Sequence, residues 1–192
     1  MIRIIGGTAR GRRLKTPAGE STRPTSDRVR EALFSSLESE FGSLTGLRFL
    51  DLYSGSGAIG FEAMSRGAGV VTSVESNRRT ARLVVDNANT LGFDEVEVLV
   101  QPVARALAHR PPAPYDVVFV DPPYPVENAE VERAVALLVA NDWLAAGSLL
   151  VVERSARGVE PTWPAGLVRE REKAYGETVL WYVRADPNNE PG

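Results

Sequence analysis

Four consecutive residues, Asp121-Pro122-Pro123-Tyr124, follow the apolar run Val117-Val118-Phe119-Val120. Proline has no backbone N–H and a fixed φ, so two in a row stiffen the chain and remove two donors. What remains to face a ligand is the Asp121 carboxylate, the Pro122 carbonyl and the ring of Tyr124. Two acceptors beside an aromatic face suit a flat ring that bears an NH2 group. The acceptors take the amine hydrogens, and stacking on Tyr124 adds roughly 1–3 kcal/mol per base. A ring amine is a weak nucleophile because its lone pair is delocalised. Hydrogen bonds to two acceptors localise that pair, and holding the nitrogen against an electrophile supplies much of the remaining acceleration. The chain contains no cysteine, so attack through a thiol adduct on a pyrimidine ring is excluded.

A second cluster lies upstream, in Asp51-Leu52-Tyr53-Ser54-Gly55-Ser56-Gly57-Ala58-Ile59-Gly60. Gly55, Gly57 and Gly60 spell the G-x-G-x-x-G turn that lets a ligand lie on the backbone at a helix N-terminus. That pattern alone admits a dinucleotide. Asp51 points elsewhere, because a carboxylate at the strand end repels a pyrophosphate and attracts the ammonium or sulfonium of S-adenosylmethionine. Glu75 closes the next strand, where a carboxylate can accept both ribose hydroxyls. A nicotinamide-binding module is opposed by Asp51 and by the lack of a second nucleotide-binding half.

Both clusters need a scaffold that brings strand ends together. From residue 47 the pattern alternates strand and helix. Strands are predicted over 47–53, 70–74, 96–100, 115–120 and 148–152. The helices between them are predicted over 58–66, 77–91 (capped by Ser76 and stopped by Gly92), 103–109 and 127–140. This order predicts a doubly wound, mostly parallel α/β sheet. Residues 167–175 and 177–184 turn at Gly176 with no helix between them, which predicts a C-terminal antiparallel hairpin and seven strands in all. Upstream, Ile2–Ile5 and Arg12–Lys15 read as a small β-hairpin, and Val29, Ala32, Leu33, Leu37 and Phe41 as a helix capped from Thr25-Ser26-Asp27. The expected organisation is an extension over 1–45, a main domain over 46–184 and a disordered tail over 185–192. Trp143, Trp163 and Trp181 read as packing residues, His109 as a solvated helix-end residue, and 154–164 as a loop near the active edge.

With 192 residues, 43% hydrophobic and 24% charged, the composition is that of an ordinary globular protein. A single histidine and no cysteine leave no thiolate or two-histidine metal site. No apolar leader or membrane-length run is present, so the expected location is the cytoplasm. The net charge of −3 conceals an uneven distribution. Eight basic residues fall in the first thirty positions against two acidic ones, and the remainder is acidic. A basic arm on an acidic body predicts a polyanionic partner.

The tetrad and the Asp51 turn together resemble the amino-methyltransferases of the class I S-adenosylmethionine fold. Arg3-Ile4-Ile5-Gly6-Gly7, Gly11-Arg12-Arg13-Leu14, the run Thr22 to Phe34, the run Phe49 to Ala63 and the tetrad 121–124 extend that likeness over nearly the whole chain. In this order they resemble bacterial 16S rRNA guanine-N2 methyltransferases of the RsmD type. The resemblance implies methylation of the exocyclic N2 of one guanine in 16S rRNA, on a partly assembled 30S subunit. The cofactor it implies is S-adenosylmethionine, with no metal, and no oligomer is required. It maps cofactor binding onto Asp51, Tyr53, Gly55, Gly57 and Glu75, and catalysis onto Asp121, Pro122 and Tyr124. After the third strand the family offers a small polar residue to the adenine amine. Here the stretch is Val100-Gln101-Pro102-Val103, which leaves Gln101 or the Val103 N–H for that role. Arg10, Arg12, Arg13, Lys15, Arg23, Arg28 and Arg30 are expected to grip phosphates, with Arg30 and Glu31 alternatively pairing along the helix or packing against the main domain. An amino-methyltransferase acting on DNA adenine or on a protein glutamine is the alternative. Glutamine enzymes place Asn where Asp121 stands.

Overall fold

A computed structural model describes residues 2–17, 26–123 and 126–188. Its elements are β1 (Ile2–Arg3), β2 (Arg13–Leu14), α1 (Asp27–Phe41), β3 (Arg48–Leu52), α2 (Ala58–Ser65), β4 (Val70–Glu75), α3 (Arg78–Leu91) and β5 (Val96–Val100). They continue with α4 (Val103–Ala106), β6 (Tyr115–Val120), α5 (Asn128–Ala140), β7 (Leu144–Ser155), β8 (Leu167–Tyr175) and β9 (Thr178–Ala185). The seven-stranded sheet has the order β5-β4-β3-β6-β7-β9-β8. All neighbours are parallel except β9, which runs antiparallel to both β7 and β8. β1 and β2 pair as the expected small antiparallel hairpin.

The chain winds outward through β3, β4 and β5, then returns to place β6 on the other side of β3. Direction reverses between β3 and β6, the switch point at which open α/β sheets bind ligands beyond their carboxyl ends. Alternation along the strands covers both faces, since successive strand residues point to opposite sides. Leu50, Leu52, Val118, Val120, Leu150 and Val152 pack with residues of α4 and α5. Phe49, Val117, Phe119, Leu149 and Val151 pack with α1 and α2.

Several boundaries differ from the sequence expectation. Asn77, not Ser76, caps α3, because its Oδ1 reaches both the Arg79 and Thr80 N–H groups. α4 stops at Ala106 rather than at His109. β7 is longer than expected, because it pairs with β6 from Leu144 and with β9 as far as Ser155. Arg154 is therefore a strand residue. Ala185 is buried as the last residue of β9, so the expected tail does not begin there, and residues 189–192 lie outside those described.

The N-terminal segment is firmly docked. Ile2, Ile4 and Leu14 bury against Phe61, Val84 and Ala88. Val29, Leu33, Phe34 and Leu37 of α1 join the core beneath the sheet. Glu62, fully buried, accepts hydrogen bonds from Ile5 N, Gly6 N and Arg66 Nε. Arg30 lies beside it, its Nε 3.7 Å from Glu62 Oε2. A buried carboxylate persists only when paired in this way.

Candidate functional site

Three adjacent strands end in acids. Asp51 sits in β3 with Ser73 of β4 on one side and Phe119 of β6 on the other. Glu75 closes β4, and Asp121 immediately follows β6, its N–H donating to Leu52 O. Asp51 is only 2% exposed. One of its oxygens, Oδ2, accepts from Gly60 N at 3.1 Å. Burial pushes the Asp51 carboxyl up to about 8, with the charges of Asp121 and Glu75 adding to the rise and the Gly60 N–H opposing it. The charges of Asp121 and Glu75 beside the buried Asp51 carboxyl make this rim favourable for a cation.

The turn after β3 is shaped for close approach. Gly55 is half-buried with φ +53, and a Cβ there would meet nothing within 4 Å, so the space above it is open to a ligand. Its N–H donates to Glu75 Oε2, while Glu75 Oε1 accepts from Asn77 N. The carboxylate thus ties the glycine turn to the end of β4. Gly57 serves packing: at φ +77 it is buried, and a Cβ would come within 2.7 Å of the Phe61 ring. Tyr53 adopts φ 61, strained for a bulky residue. Its hydroxyl lies 3.4 Å from Glu130 Oε1, and burial with the Glu130 charge holds the phenol up at about 12. Ser54 Oγ is buried with no partner among the described residues. These acceptors, the open backbone and the concentrated negative charge fit a cationic nucleoside such as S-adenosylmethionine.

Across the switch point, Pro122 is buried, Pro123 is exposed, and Val126 N donates to Pro123 O. Tyr124 lies outside the described residues. Val126 and Asn128 are held by a residue that sequence reasoning placed only in a loop. Arg154 donates through Nη2 to Val126 O (2.7 Å) and through Nε to Asn128 Oδ1 (3.1 Å). Asn128 in turn donates to Val159 O. Arg154 also lies within electrostatic reach of Asp121. No local sequence signal marks it, because its partners are more than twenty residues away. Gln101 is half-buried at the end of β5, and Val103 begins α4, whose first turn has no side-chain cap.

The basic residues separate into two groups. Arg10, Arg12, Arg13, Lys15 and Arg28 are exposed, and Arg23 lies outside the described residues. Arg30 does not grip phosphate: it is 1% exposed, and its Nη2 donates to Arg3 O and Asp27 Oδ1. The reason is helical phase. Arg30 stands three and seven residues before Leu33 and Leu37, on the apolar stripe of α1, a spacing visible in the sequence. Among the described residues no cluster of acids and histidine suited to a metal was found, and no helix is long and apolar enough to cross a membrane.

Comparison with known proteins agrees with this geometry. Residues 2–184 match the family model described as Conserved hypothetical protein 95. Ribosomal RNA small subunit methyltransferase D of Escherichia coli (strain K12) is 39% identical over 189 residues, covering 98% of this chain and 92% of that protein. The solved structure titled putative methyltransferase yhhF from Escherichia coli superposes with a TM-score of 0.86 at 34% identity, covering 96% of this chain and 98% of that one. The fold alone is shared with the magnesium protoporphyrin IX methyltransferase of Synechocystis, solved with bound SAM, at TM-score 0.63 and 14% identity, covering 83% of this chain and 79% of that one. A full-length family match, a strand order that reverses beside Asp51 and acids at three neighbouring strand ends lead to one conclusion: this chain belongs to the Conserved hypothetical protein 95 family, the family of ribosomal RNA small subunit methyltransferase D.

Proposed function

We propose that the protein transfers a methyl group from S-adenosylmethionine to the exocyclic N2 of a guanine in 16S rRNA, acting as a monomer on a partly assembled 30S subunit in the cytoplasm. The observation that carries this reading is the arrangement of Asp51, Glu75 and Asp121 on three neighbouring strand ends at the switch point. It supports a reading in which a cation-seeking pocket shares one rim with amine acceptors at Asp121 and Pro122.

Asp51, Tyr53, Gly55 and Glu75 hold the cofactor, with Gly57 closing the turn beneath it against Phe61, the ribose on Glu75 and the adenine near Gln101 and the Val103 N–H. The cofactor supplies an electrophilic methyl group on a sulfonium. The protein's part is placement. The target guanine is turned out of any stack and rests on Tyr124, with its amine hydrogens on Asp121 and on the Pro122 carbonyl. The N2 lone pair forms the new N–C bond as the methyl–sulfur bond breaks, and its electron pair neutralises the sulfonium. The surplus N2 proton leaves through Asp121 or water. Arg154 ties Val126 and Asn128, just after the tetrad, to β7. The extension over 1–45 presents Arg10, Arg12, Arg13, Lys15, Arg23 and Arg28 to the RNA backbone, where such contacts position without specifying sequence.

The test is methyl transfer to small subunits purified from a bacterial strain lacking this activity, followed by nucleoside mass spectrometry. N2-methylguanine is the expected product. N6-methyladenine with no N2-methylguanine, or methylation of DNA or protein alone, would overturn the reading.

A further inference from the structure

Docking of the hairpin joins it to a basic surface on α3. The segment leaving β2 runs along that helix. Arg12 Nη2 donates to Thr90 O, and the Lys15 backbone exchanges two hydrogen bonds with the Asn87 amide. Thr16 and Pro17 then wall a groove of about 460 Å³, whose far side includes Arg79, Thr80, Arg82 and Asp86. The chain therefore passes from the last turn of α3 towards its first. The groove reaches Asn77, whose N–H donates to Glu75 Oε1 on the cofactor rim. Arg78, Arg79 and Arg82 are all exposed, and none makes an ion pair with another described residue. Three such arginines within five positions stand out on an otherwise acidic body. They also stand at the positive end of a helix dipole.

We infer that Arg78, Arg79 and Arg82 continue the hairpin's basic strip into a track for the phosphate backbone of a single RNA strand, leading to the methylation site. A 14-residue helix is about 21 Å long, enough for several consecutive nucleotides. Asp86, the one acid lining the groove, keeps the strand on the arginine side by repulsion. The inference rests on the rRNA reading, and it assigns RNA contacts to residues outside the N-terminal extension.

The experiment compares the intact wild-type protein with a triple variant, Arg78→Gln, Arg79→Gln and Arg82→Gln. Arginine and glutamine have similar helix propensities, so α3 persists. Binding of a fluorescein-labelled, unstructured oligoribonucleotide is followed by anisotropy across a salt series, and S-adenosylhomocysteine binding by calorimetry. Losing three phosphate contacts lowers the slope of log K against log salt by about 2, or roughly 50-fold in affinity near 0.15 M salt. The expected result is that loss with S-adenosylhomocysteine affinity unchanged, and a raised KM for 30S subunits at constant kcat. An unchanged slope would overturn the inference. If a parallel variant with charge reversal at Arg10, Arg12 and Arg13 loses RNA binding while the α3 variant does not, the track is wrong and the rRNA reading stands. Failure of the wild-type protein to bind RNA or subunits at all overturns both.

Discussion

Replacing Asp51 with Asn separates what the site needs for binding from what the fold needs for stability. Asn keeps an oxygen to accept from Gly60 N but carries no ionisable group. In the native protein the Asp51 carboxyl is pushed from 3.8 up to about 8, chiefly by burial. Across that window the native state holds a proton that the unfolded chain has released. Stability therefore falls as pH rises, by up to about 1.4 kcal/mol per pH unit, and levels off above the native pKa. By pH 7 the accumulated penalty is on the order of 4 kcal/mol. Urea unfolding, followed through Trp143, Trp163 and Trp181, should show wild-type stability declining relative to Asp51→Asn between pH 5.5 and 7.5, by roughly 2–3 kcal/mol in all. The variant should be the more stable protein at pH 7 and the weaker binder. Loss of a charge-assisted contact costs about 1.5–3 kcal/mol, or roughly 10- to 100-fold in S-adenosylmethionine affinity. Wild-type binding at pH 7 should release close to one proton, read by calorimetry in buffers of different ionisation enthalpy. If the stability difference between the two proteins stays constant within about 0.5 kcal/mol over that pH range, Asp51 is ionised in the free protein and the reasoning fails.

Asp121→Ala should abolish methyl transfer while S-adenosylhomocysteine affinity changes no more than a few-fold; turnover close to wild type would show that the tetrad does not hold the amine. Arg30→Met should destabilise the fold by about 1–3 kcal/mol, because Arg3 O loses its buried donor while Glu62 keeps Arg66 and two backbone N–H groups, yet leave the salt slope of RNA binding untouched; a reduced slope would return Arg30 to the RNA interface. Arg154→Ala should lower kcat with little effect on cofactor KM, with partial recovery on adding guanidinium; loss of cofactor binding instead would place Arg154 in the cofactor site.

Much of this protein is legible in its residues because the relevant forces are local. Alternating apolar patterns give the strand positions to within a residue or two, and Gly92 and Ser26 act as the expected stop and cap. Errors arise where a neighbour competes. Asn77 outcompetes Ser76 because its longer side chain reaches two amides, and β7 lengthens because β6 and β9 offer it partners.

The sequence by itself determined that Asp51, Glu75 and Asp121 each end or follow a strand, since strand ends follow from short-range periodicity and turn chemistry. Only the tertiary structure decided that the three meet, because neighbour relations depend on crossovers that set β3 between β4 and β6. It likewise decided that Arg79 and Arg82 line one groove with Thr16 and Pro17. A charge shows its type in one dimension, but what it touches depends on residues dozens of positions away.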